Sequence, residues 1–190
     1  MDLIDINQMQ QKLDEQFIPL EPTITGMRLV IKKNQKPSLE QCEVVLKVTF
    51  PASFSDLTSH YDFGHFTIGP ITFCDSGNYF LWLTGINTDE MQTYAWWSGF
   101  KRPKGVIVIA NSDPYAIILD TNTGRIFAFI HGEEHMVMHL IATIFDLFIL
   151  GVGTAMLNRK YDHSNDVLAQ DIAREVGAES NDKFWQFITS

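Results

Sequence analysis

The residues best placed by type to do chemistry are His131, Glu133, Glu134, His135 and His139, a dense group of imidazoles and carboxylates. His135 and His139 stand four apart, so on a helix both rings would share one face, the arrangement a zinc site needs. The H-E-x-x-H order is absent, because Met136 follows His135. The same residues also suit a polar turn before an apolar helix, with Glu133 and Glu134 favouring its positive N-terminus. A small metal-dependent enzyme using His131, His135 and His139 is therefore one reading, and a cap to a buried helix is the other.

Other chemistry finds less support. Asp113 and Asp120 bracket the stretch Pro114–Leu119 and could pair as acid and base, but Ser112-Asp113-Pro114 and Asp120-Thr121-Asn122 read as turns in which Asp and Asn bond their own backbone. No G-x-S-x-G elbow exists, and Cys42 falls on the inner face of an expected helix. Cys42 and Cys74 lack C-x-x-C spacing, so they are expected as reduced, buried thiols rather than a metal site or a disulfide. Gly151-Val-Gly153 follows a helical pattern instead of a strand, which argues against a dinucleotide loop. No catalytic residue, metal or cofactor is assigned. Trp96 and Trp97 in MQTYAWWSGFKRPKG suit protein recognition better: on a strand one of the pair points inward and the other outward, as an anchor. Asp75, Ser76 and Asn78 form a polar turn, expected to close a hairpin.

The chain that must position these groups has 190 residues, with 14 basic and 23 acidic side chains for a net charge of −9. That balance argues against general nucleic-acid binding, which requires a basic face. The four basic residues of 28–36 (Arg28, Lys32, Lys33, Lys36) are too few for such a footprint and are expected on a solvated strand face. At 45% hydrophobic content the chain can fill a core. The opening MDLIDINQ lacks the features of a signal peptide, so a cytoplasmic location is expected. Met136–Met156 approaches the length of a membrane span, but His139 and Asp146 interrupt it and a buried helix is the better reading.

Periodicity predicts a helix through Ile6, Met9, Leu13 and Phe17, ended by Pro19 and Pro22, then a short edge strand over Met27–Ile31. Ser38 and Gln41 make a capping box for a helix with Leu39, Cys42, Val45 and Leu46 inward. Pro51, as a first-turn proline, opens another through Phe54, Leu57 and Tyr61. Strands are predicted over Phe66–Phe73, Tyr79–Leu83 and Gly105–Ala110, and Tyr115–Asp120 with Arg125–Ile130 as a hairpin around Thr121–Gly124. An apolar helix over 135–150 ends at Gly151 or Gly153. Leu168, Ile172 and Val176 mark an amphipathic helix before Gly177, and Phe184, Trp185 and Ile188 dock a last turn. The class is α+β, a mostly antiparallel sheet of five or six strands flanked by helices.

Across about 35–155 this order resembles the SUKH superfamily of fungal glucan-synthesis regulators, Syd and bacterial toxin-immunity proteins. The segments that carry it are SLEQCEVVLKVTFPASFSDLTSHYDFGHF, FCDSGNYFLW, VIVIANSDPYAIILDTNTGRIFAF and the Phe145-x-x-Phe148 helix. Phe50-Pro51 stands where the family usually has Leu-Pro. The resemblance implies residues 1–34 as an N-terminal helix-and-strand extension, 35–155 as the SUKH-like domain, and 156–190 as a helical extension packed on it. It implies a non-enzymatic domain that binds a protein, foremost an immunity protein neutralising a cognate toxin, with a regulatory or scaffold role as the alternative. Asp75, Trp96, Trp97, Glu133 and Glu134 are the expected partner contacts.

Overall fold

The computed structural model describes residues 1–33, 38–75, 77–88, 102–130, 137–159, 165–178 and 183–190. Helix α1 (Ile6–Phe17) starts where the Asp5 carboxylate accepts the Asn7 and Gln8 N–H groups, and buries Met9, Leu13 and Phe17 as their spacing requires. Strand β1 is confined to Val30–Ile31 and pairs with β2 (Tyr61–Asp62) in a small antiparallel ribbon. The basic patch around it is only partly a solvated face. Arg28 bonds Asp14 and Glu21, and the half-buried Lys32 ammonium donates to Thr58 O at 3.1 Å and lies 4.0 Å from the centre of the Phe80 ring. Burial lowers the Lys32 pKa, and Asp62 opposes that shift.

Helix α2 (Leu39–Leu46) has the expected capping box, with Ser38 and Gln41 bonding reciprocally. Its inner face is narrower than expected: Cys42 and Leu46 are buried, whereas Val45 is 52% exposed. Pro51 is the residue before α3 (Ala52–His60), one position earlier than a first-turn proline. Strands β3 (Thr67–Ile68) and β4 (Ile71–Thr72) form a tight pair. Tyr79–Leu83, expected as a strand, belongs instead to helix α4 (Tyr79–Asn87). Asn78 explains the change, because its side chain caps the Leu81 N–H at 3.1 Å, and Tyr79, Phe80, Leu83, Ile86 and Asn87 then face inward at helical spacing.

The sheet continues as a meander through β5 (Val106–Ser112), β6 (Tyr115–Asp120), β7 (Ile126–Ile130) and β8 (His139–Ala142). The six strands are antiparallel in the order β3-β4-β5-β6-β7-β8. Asp120 holds the β6–β7 turn by accepting from the Asn122 N–H and the Thr123 hydroxyl, as the turn reading required. Strand β4 covers β5 only where Thr72 meets Asn111. Further along β5, side chains of the described residues satisfy the backbone of that edge. Asn87 accepts the Val108 N–H and donates to Val108 O, both at 2.8 Å, Tyr79 donates to Ile109 O, and Arg102 donates to Val106 O.

The apolar stretch after residue 135 is not one helix. His139–Ala142 pairs with β7 as β8, and α5 (Phe145–Asn158) begins only after Ile144. Gly151 and Gly153 lie inside α5 rather than at its end. A side chain at Gly153 would start 2.1 Å from Met9 Sδ, and one at Gly151 would start 2.7 Å from Trp185 Cη2, so both glycines are sites where another element packs against the helix. Helices α6 (Asp166–Glu175) and α7 (Lys183–Thr189) close the fold, with Gly177 in the left-handed conformation after α6. One core cluster runs from Ile4 to Ile188 and contains Phe145 and Phe148, so both terminal segments share a core with the residues between them. A second cluster, Ile86, Val106, Val108, Ala116, Ile118 and Phe129, lines the opposite sheet face. Among the described residues no helix is long and apolar enough to cross a membrane.

Candidate functional site: the His65 loop cluster

Of the five expected partner contacts, Asp75 alone is within the described residues; Trp96, Trp97, Glu133 and Glu134 lie outside them, as do His131 and His135. His139 is exposed on strand β8, so the premise that it shares a helix face with His135 does not hold. Among the described residues no group of three His, Cys, Asp or Glu side chains could hold a metal ion. Burial raises the Cys42 thiol pKa and keeps the group protonated, while the Thr84 hydroxyl donates to its sulfur at 3.3 Å.

Asp75 is exposed in the loop between β4 and α4, which the structure packs against the loop after β2. That second loop is anchored at both ends. Phe63 and Phe66 are each 1% exposed and pack edge to face at 5.5 Å, with Phe73 4.9 Å from Phe63. Between the two anchors the Asp62 carboxylate accepts the Gly64 N–H at 2.8 Å. His65 is thereby turned out to solvent with φ at +66°, a conformation that costs a non-glycine residue about 1–2 kcal/mol.

Two close backbone approaches hold the loop in place. A side chain at Gly26 would start 2.0 Å from His65 O, and one at Gly64 would start 2.4 Å from Gly77 O. Gly26 O also accepts the Thr67 N–H at 2.7 Å. Gly77, at φ +82°, lies under the His65 ring, so that a Cβ there would meet Nε2 at 2.8 Å. Asn78 then begins α4, which is why the polar turn around Asp75 starts a helix and does not close a hairpin. Three chain segments thus meet around one exposed histidine, with Asp62 bonded to the preceding Gly64 and Asp75 on the neighbouring loop.

No protein-family model, curated protein or solved structure matches this chain. The site is therefore read from its own geometry. Sequence reasoning missed His65, whose one legible signal is the small residue of Gly64-His65 set between two phenylalanines. An exposed loop cluster held by such close backbone packing can present a contact surface with a reduced ordering cost on binding. Its polar groups are an imidazole and two carboxylates, suited to charged or hydrogen-bonding groups of a partner.

A second surface feature is a depression of about 470 Å³ between Pro51–Ser53 at the start of α3, the turn Thr121–Gly124, and Ile144. Beyond Ile144, on α5, the Asp146 Oδ1 is buried with no partner among the described residues. Burial raises the Asp146 pKa, and Asp56 on α3 raises it further. The field of the α5 N-terminus acts in the opposite sense. A raised native pKa means that the folded state binds more protons than the unfolded chain, so this group's stabilisation is complete below the ordinary aspartate pKa and is lost as pH rises through the raised value. Asp146→Asn is accordingly expected to raise Tm at pH 7, with the gain shrinking toward pH 3. A gain independent of pH in thermal melts would show that charge burial is not its cause.

Proposed function

We propose that this chain is a non-enzymatic protein-binding domain of SUKH type, working in the cytoplasm as an immunity protein that neutralises a cognate toxin. The observation that carries the binding part is the His65 loop cluster, where a strained exposed histidine packs over Gly77 of the loop that also carries Asp75. Unlike Lys47, whose left-handed conformation ends a helix, His65 caps no helix, and strain of this kind at an exposed position supports a contact made there. The toxin part rests on the family resemblance and on charge: at −9 the chain complements the basic surface that a nucleic-acid-degrading toxin would carry. Stable blocking would bury roughly 800 Å² on this partner, more than the cluster alone offers, so Trp96, Trp97, Glu133 and Glu134 remain proposed contributors.

The test is capture of partners by the tagged protein from its source cells, read by mass spectrometry, for the wild type and for Asp75→Lys. One stoichiometric partner carrying a toxin-like domain, retained by the wild type and at least tenfold depleted with Asp75→Lys, is expected. An empty capture from cells expressing the toxin would overturn the immunity reading, and equal capture by both proteins would move the contact away from this loop.

A further inference from the structure

We draw no further inference here: the strongest candidate, the depression between the start of α3 and the β6–β7 turn, reduces to a helix N-terminus alone, because the Thr121 and Thr123 hydroxyls already donate to Gly105 O and Asp120 and nothing in the structure points to a ligand there.

Discussion

Trp185→Ala is expected to lower the unfolding free energy by about 4–5 kcal/mol, the upper end of large-to-small core substitutions. The indole is fully buried and lies against the face of α5 that Gly151 leaves open. Its Nε1–H donates to Ile141 O on β8 at 3.0 Å. Truncation would therefore leave a large cavity and remove the hydrogen bond to Ile141 O. With Phe184 and Ile188, the residue docks the short helix α7 into the core. Urea unfolding followed by far-UV circular dichroism gives the number. A loss below about 1 kcal/mol would mean that residues 156–190 are a loosely attached extension rather than part of one core.

Asn87→Leu is expected to cost about 4 kcal/mol, although the two side chains are close in size. Asn87 is 2% exposed, donates to Leu83 O as well as to Val108 O, and accepts the Val108 N–H. Leucine would leave the Val108 N–H and C=O buried without partners, each at about 1–3 kcal/mol. Asn87→Asp should fare no better, since a carboxylate cannot donate to Val108 O. Amide exchange offers a second reading: the Val108 N–H should lose its protection in the leucine variant while the β6–β7 amides keep theirs. Unchanged protection at Val108 would show that this edge of β5 is covered by something other than Asn87.

These two residues illustrate what could be read from the sequence and what could not. The helices α1, α2 and α6, the Ser38–Gln41 capping box and the β6–β7 hairpin each show a periodicity, cap or turn within a few residues, so local pattern is enough to read them. Asn87 acts across the fold on a strand 21 residues away, and no local pattern records that. Tyr79–Leu83 went wrong because five consecutive large apolar residues carry no period; the deciding residue was Asn78, just outside the run. In 135–150 the apolar run hid a change of element, since His139–Ala142 pairs with β7 before α5 begins. Gly151 and Gly153 resemble helix stop signals in the sequence, whereas their reason is the side chains of Trp185 and Met9.

The candidate site was less legible than the fold. The polar surroundings of Asp75 are legible in the sequence, yet the packing of its loop on the His65 loop depends on contacts of Gly64 and Gly77 that only the folded chain brings together. A positive φ at a histidine leaves no mark in the sequence, because glycine is the usual sign of that conformation.

The most direct test of the binding account uses this conformation. His65→Gly removes the imidazole while relieving its backbone, so it is expected to stabilise the fold by about 1 kcal/mol. Lys47, the only other non-glycine residue at positive φ among the described residues, ends α2 at φ +55° and provides the control. Lys47→Gly is expected to stabilise by a similar amount. The measurement is calorimetric titration of the captured partner against the wild type and both variants. The account predicts that Lys47→Gly binds like the wild type and that His65→Gly, though more stable, binds at least tenfold more weakly. Wild-type affinity in both variants would contradict it, and the left-handed His65 would then be a feature of the fold with no part in recognition.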